Sequence, residues 1–209
     1  MSEHGFSTTV ARRDILAGIS AAGVVGLAGC TGDDDTDGED EDTGVIRWHA
    51  GGTGGTYFPL SGEMEGIIQD NTDFNVEVSA TGASVENVGS LGSGDADFAL
   101  IQNDIAFFAK NGTSLDAFEG DPIENLEGVA TLYPETIHIV TDPESEIESV
   151  ADLEGASVNT GDLGSGTQVN ALQILESVAG LTTDDFTEEN TDFTQAADQI
   201  RDGDVDAAF

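Results

Sequence analysis

Cations are nearly missing from this chain. Its 209 residues include 5 Lys and Arg against 42 Asp and Glu, a formal net charge of −37. That scarcity excludes electrostatic binding to nucleic acid, which needs a basic footprint. It also argues against adhesion to an anionic membrane surface. Cysteine is as scarce: Cys30 stands alone, so there is no disulfide framework and no thiolate metal cluster. Histidine occurs three times, at His4, His49 and His138, with no His-Glu-x-x-His or His-x-x-Glu-His spacing. Ser165 has no nucleophile elbow around it, since Leu163-Gly164-Ser165-Gly166-Thr167 begins with Leu. The run from Gly161 to Gly166 and Thr167 lacks the Lys of a Walker A loop. These gaps point away from catalysis and from any metal or cofactor. A phosphate-using enzyme is kept only as the alternative from another class.

Long apolar runs are also short of what a bilayer requires. Ala17 to Gly29 is apolar and small, and too short to span comfortably. It follows Arg12-Arg13-Asp14-Ile15-Leu16, a twin-arginine start, and ends in Leu27-Ala28-Gly29-Cys30, a lipobox. Residues 1–29 are therefore expected to be a twin-arginine lipoprotein signal peptide, with Cys30 as the lipid-bearing thiol on the outer face of the cell membrane. Residues 30–44 follow as an acidic tether, a block of like charge unable to collapse. Removing residues 1–29 leaves 40 acidic and 3 basic residues, Arg47, Lys110 and Arg201 among them, so the charge stays at −37. A folded protein this acidic suits a high-salt solvent, where screening over ~3 Å at 1 M removes self-repulsion.

What is present is glycine at two places. Val45-Ile46-Arg47-Trp48-His49-Ala50 is β-prone and feeds a loop with glycine at 51, 52, 54 and 55. An apolar, helix-compatible run follows, with Tyr57, Phe58, Leu60, Met64, Ile67 and Ile68. Strand, glycine loop and helix place bare backbone N–H groups at a helix N-terminus, which suits an anion. This loop is not a dinucleotide fingerprint, because Tyr57 stands where a third glycine would be needed. A second such loop, Gly161-Asp162-Leu163-Gly164-Ser165-Gly166-Thr167, again lies between a strand and a long helix. Two anion-compatible loops suggest a ligand held between two lobes.

The rest of the chain alternates strand and helix. Phe74 to Ala80 reads as a strand, and Ser84 as the N-cap of the next helix. Asp97 to Ile101 is a buried strand that runs into Gln102-Asn103-Asp104 and the helix Ile105 to Ala109. Val129 to Tyr133 and Ile137 to Val140 read as two further strands, with Pro134 and Glu135 as a crossing point. Ala156 to Asn159 is a strand; Val169 to Ala179 and Phe193 to Arg201 are helices. Gly203-Asp204-Val205-Asp206 echoes Gly94-Asp95-Ala96-Asp97, each preceding a strand. Lobe one is expected over 45–135 and lobe two over 136–209, incomplete at its C-terminal end.

Gly51-Gly52-Thr53-Gly54-Gly55-Thr56-Tyr57-Phe58-Pro59-Leu60, Thr81-Gly82-Ala83-Ser84-Val85-Glu86-Asn87 and Asp97-Phe98-Ala99-Leu100-Ile101-Gln102, taken with Gly164-Ser165-Gly166-Thr167, resemble the TAXI family. These are the extracytoplasmic solute receptors of TRAP transporters. The resemblance implies a periplasmic-binding-protein-like α/β fold of two lobes with a hinge. It implies capture of a glutamate- or glutamine-like solute or a dicarboxylate, and handover to TRAP membrane subunits driven by an ion gradient. The receptor of an ABC importer, with the same lobes, is the alternative. On this reading Thr53, Thr56 and Tyr57 line the first anion site, and Ser84 and Asn87 add neutral hydrogen bonds. Gln102 and Asp104 sit at a strand's C-terminal end, where open α/β sheets bind ligands. Tyr133 reaches in from the crossing strand, and Ser165, Gly166 and Thr167 hold the ligand from lobe two. No cation stands at either loop, so neutral donors are expected to hold the carboxylate. Asp104 is open to meeting a ligand ammonium or to capping its helix.

Overall fold

A computed structural model describes residues 44–209. The twin arginines Arg12 and Arg13, the lipobox Cys30 and the tether up to residue 43 lie outside the described residues. No helix among the described residues is long and apolar enough to cross a membrane.

Two α/β units of the same topology are built one after the other. In the first, β1 (Val45–His49) is central and pairs in parallel with β2 (Asn75–Ser79) on one side and β3 (Phe98–Ala99) on the other. Helices α1 (Tyr57–Asn71) and α2 (Ser84–Ser93) make the two crossovers. Helix α3 (Asn103–Asn111) follows β3. Parallel strands need such crossovers, and helices on the faces then cover the sheet. Trp48, Val76 and Leu100 form the buried face under Leu60, Met64 and Ile68 of α1. The Trp48 ring N–H donates to Ser61 Oγ at 3.0 Å, which accounts for a fully buried serine.

The second sheet has the order β4-β7-β5-β6. Here β5 (Ser157–Asn159) pairs in parallel with β6 (Thr187–Glu189) and β7 (Ala207–Ala208). Helices α4 (Gly166–Ala179) and α5 (Phe193–Asp202) are its crossovers, and β4 (Val140–Thr141) adds antiparallel to β7. Leu153, Val158, Ala171, Leu175 and Phe186 are its core. A third cluster, Val88, Ile105, Ala109 and Phe118, also takes in Val169 of α4, so apolar packing ties the two units together.

The repeated Gly-Asp-x-Asp has one structural job in both units. Asp97 Oδ2 accepts the Arg47 backbone N–H at 2.9 Å, and the Asp97 N–H donates to the Arg47 carbonyl at 2.9 Å. Asp206 makes the same pair with Ser157, both bonds at 2.8 Å. Each aspartate sets the register of the last strand against the central one. Asp97 also receives the Arg47 guanidinium, at 3.0 and 2.8 Å.

Two expectations fail here. Val129 to Tyr133 and Ile137 to Ile139 are not strands; only Val140–Thr141 pairs. Val129 is 80% exposed, and among the described residues no strand lies beside this stretch to complete a ladder. β-propensity is largely a fit to neighbours, and there the neighbours are absent. The expected lobe boundary at 135/136 falls within this unpaired stretch. Strand β6 was not anticipated: Thr187-Glu188-Glu189 is a polar edge strand with no apolar alternation to reveal it.

Candidate functional site

Both glycine loops open onto one cleft. Its walls include Gly51, Gly52, Gly55, Thr56 and Tyr57 from the first unit and Asp162, Ser165, Gly166 and Thr167 from the second. Backbone donors follow from the helix starts. Helix α4 begins at Gly166 with Ser165 as N-cap, whose Oγ accepts the Gln168 N–H at 3.0 Å. The Gly166 and Thr167 N–H groups lack an intrahelical acceptor, and both residues line the cleft. Helix α1 starts at Tyr57 behind Thr56, with Pro59 removing one orphan donor. Neither helix has an acidic residue in its first turn, so both positive dipole ends are unneutralised by their own side chains.

The second loop is held from behind by a polar network. Glu188 Oε1 accepts from Thr160 Oγ1 at 2.6 Å, Gln168 Nε2 at 3.0 Å and Asn190 Nδ2 at 3.2 Å. Burial raises the Glu188 pKa, but these three donors outweigh it and leave the carboxyl below its ordinary value. Asn159 Oδ1 accepts the Gly161 N–H at 2.9 Å, and Gln168 Oε1 accepts the Gly164 N–H at 2.9 Å. The loop is thereby fixed before any ligand arrives.

The two units close on each other around the cleft. The Val85 N–H donates to the Gly164 carbonyl at 3.1 Å, and Asn170 Nδ2 donates to Asp104 Oδ2 at 2.7 Å. Gln102 lies across Gly166: a Cβ on that glycine would sit 1.6 Å from Gln102 Oε1. A Cβ on Gly54 would likewise lie 2.6 Å from Thr194 Oγ1. Glycine at these two positions lets the units approach.

Of the residues singled out from sequence, Thr56, Tyr57, Ser84, Gln102, Tyr133, Ser165, Gly166 and Thr167 line the cleft. Tyr57 and Tyr133 meet edge to face with ring centroids 6.3 Å apart, and burial pushes the Tyr57 phenol pKa up. Three others do not line it. Thr53 is exposed at the tip of its loop. Asn87 is fully buried, with Nδ2 donating to the Ala50 and Leu100 carbonyls at 2.7 and 2.8 Å and Oδ1 accepting from Thr81 at 2.7 Å. It brackets the ends of β1 and β3 from a position no ligand reaches, since it is fully buried. Asp104 Oδ1 accepts the Ile105 N–H at 2.9 Å, and its other oxygen is taken by Asn170. It is an inter-unit clasp. Ser84 is not an N-cap either. Ala83 holds that position at φ 70°, and Ser84 Oγ accepts the Gln102 N–H at 3.1 Å.

Sequence reasoning assigned no ligand-binding role to several wall residues. Ala83, Glu135, Thr191, Asp192 and Phe193 line the cleft, as does Asp162. Asp162 was in plain view inside the second glycine loop. Phe193 opens α5, and its ring packs over Gly55. Nothing local in sequence shows that α5 starts beside the first loop. Among the described residues no Lys or Arg lines the cleft: Arg47 pairs with Asp97, Lys110 binds the Glu124 and Leu126 carbonyls, and Arg201 pairs with Asp198.

Residues 49–209 match the NMT1-like family. The fold is similar to the alkanesulfonate-binding protein SsuA from Xanthomonas axonopodis pv. citri bound to MOPS. Identity there is 18% and the TM-score 0.50, covering 79% of this chain and 53% of that one. It is similar also to a binding protein component of an ABC phosphonate transporter from Pseudomonas aeruginosa. Identity is 14% and the TM-score 0.52, covering 78% of this chain and 56% of that one. The chain thus spans about half the length of the solved proteins it matches. The architecture is the α/β, periplasmic-binding-protein-like fold.

Proposed function

We propose, since the chain belongs to the NMT1-like family, that it is the solute-binding receptor of an importer, exported and tethered outside the cell membrane through Cys30. The observation that carries this reading is the cleft itself. Two prearranged glycine loops, one from each unit and each at the start of a helix, line it together with close contacts across them. Such a clamp suits reversible capture of a small polar solute. An anionic group would lie on the Gly166 and Thr167 N–H groups with the hydroxyls of Thr56 and Thr167 beside it.

For the membrane partner, the fold shared with the binding protein component of an ABC phosphonate transporter supports an ABC-type importer. TRAP subunits are supported by the loop motifs that resemble the TAXI receptors. Uptake by membrane vesicles carrying the receptor with the subunits encoded beside it separates the two. ATP hydrolysis drives transport in the first case and an ion gradient in the second.

The receptor reading is tested by calorimetry on the full chain in molar salt, across amino acids, sulfonates and carboxylates. Thr56→Val and Thr167→Val each remove one hydroxyl donor. We expect each to weaken the best solute roughly ten- to a hundredfold, from about 1.5–3 kcal/mol per lost donor to a charged group. Unchanged affinity in both variants would defeat this placement of the solute.

A further inference from the structure

Helix α4 is anchored at its first turn by the other unit. Asn170 lies one turn beyond Gly166, on the same face of the helix. Its Nδ2 donates to Asp104 Oδ2 at 2.7 Å, across 66 positions of the chain. Asp104 Oδ1 accepts the Ile105 N–H at 2.9 Å, which fixes the carboxylate on the first turn of α3. Both side chains are half-buried, so water competes only in part for this charge-assisted bond.

Three further contacts meet the same turn. Val169 packs into the apolar cluster of Val88, Ile105 and Ala109. Gln102 lies against Gly166 too closely for any Cβ there. The Val85 N–H is second in α2 and has no intrahelical acceptor, and it donates to the Gly164 carbonyl at 3.1 Å. Helices α2 and α3 of the first unit thus seat residues 164–170 of the second, Gly166 and Thr167 included. The bonds inside this segment, Gln168 to Gly164 and Ser165 to Gln168, fix its shape but not its place against the first unit. Neither Asn170 nor Asp104 lines the cleft, so their bond reaches a solute only through the turn it holds.

We infer that Asn170 is a positioning residue. By clasping Asp104 it docks the first turn of α4 on α2 and α3, and so sets how tightly the Gly166 and Thr167 N–H groups hold a solute. This rests on the receptor reading and adds a residue pair outside the cleft that governs its affinity. Without the clasp, conformations with the turn undocked gain population, and the competent arrangement loses it. A solute held between the units then leaves more readily, so the loss appears in the dissociation rate.

Two readouts on the full chain test this, the first without solute. Hydrogen exchange of the Val85 amide reports docking, because its acceptor belongs to the other unit. The Asn87 amide, bonded to the Ala83 carbonyl at 2.8 Å within the same helix start, is the control. Asn170→Ala is expected to speed Val85 exchange roughly tenfold or more and leave Asn87 unchanged, whereas global destabilisation speeds both alike. Asn170→Asp sets a second carboxylate against Asp104 and is expected to speed Val85 further, more at ~0.1 M than at ~1 M KCl. The second readout is calorimetry and stopped-flow with ethanesulfonate, taurine, glutamate and glutamine. The tightest of the four is expected to bind Asn170→Ala roughly three- to thirtyfold more weakly, chiefly through faster dissociation. Unchanged Val85 exchange, or Val85 and Asn87 accelerating together, overturns the inference. Faster Val85 exchange with unchanged affinity overturns it too and leaves the receptor reading standing. If none of the four binds the parent chain, the inference falls with the receptor reading.

Discussion

Asn87 carries the clearest consequence at the scale of one residue. Its amide satisfies two buried carbonyls, from Ala50 and Leu100, at the ends of adjacent strands. Asn87→Ala would leave both unpaired, at about 1–3 kcal/mol each. We expect a loss of about 2–5 kcal/mol in urea unfolding, far beyond a typical surface change. A loss below about 1 kcal/mol would mean that the bracket is dispensable. From sequence, Asn87 looked like a ligand group because polar residues near a glycine turn commonly face solvent or solute. Only the packing of α2 over β1 and β3 shows that it points inward. Gly166, by contrast, lines the cleft, although the need for a glycine there comes from Gln102, 64 positions earlier in the chain.

At the scale of elements, the repeated aspartates define the pairing of each last strand with its central strand. The Arg47 side chain, and then its backbone N–H, hold the Asp97 carboxyl below its ordinary value. A carboxylate with a depressed folded pKa stabilises the fold above its unfolded pKa, about 3.9. That contribution disappears as pH falls through the lower folded value. Asp97→Asn should therefore lower stability at neutral pH and flatten the acid limb below about pH 4. An acid limb that is identical in variant and parent would contradict the clamp. The strand–glycine–helix units were legible because alternation, glycine loops and Gly-Asp-x-Asp are local signals. The stretch 129–139 was misread because apolar, β-branched residues signal a strand even where no neighbour strand is present to receive it.

At the scale of the molecule, charge dominates. With −37 on 209 residues, self-repulsion acts on the folded state wherever screening is weak. The screening length grows from ~3 Å at 1 M salt to ~30 Å at 0.01 M. The unfolding midpoint should rise steeply between ~0.01 and ~1 M KCl, and a flat profile would show that the acidic residues are already well separated. The site was half legible at this scale. The two loops announced themselves, but their facing arrangement and the acidic wall between them depend on how α4 and α5 meet the first unit. Hydrogen exchange of the full chain, with and without a saturating concentration of its tightest-binding solute, tests that arrangement most directly. We expect bound solute to slow exchange at the amides of Tyr57, Phe58, Gly166 and Thr167 together, since both helix starts would share one ligand. Protection at one loop alone, or protection confined to residues away from the cleft, would contradict capture between the two units.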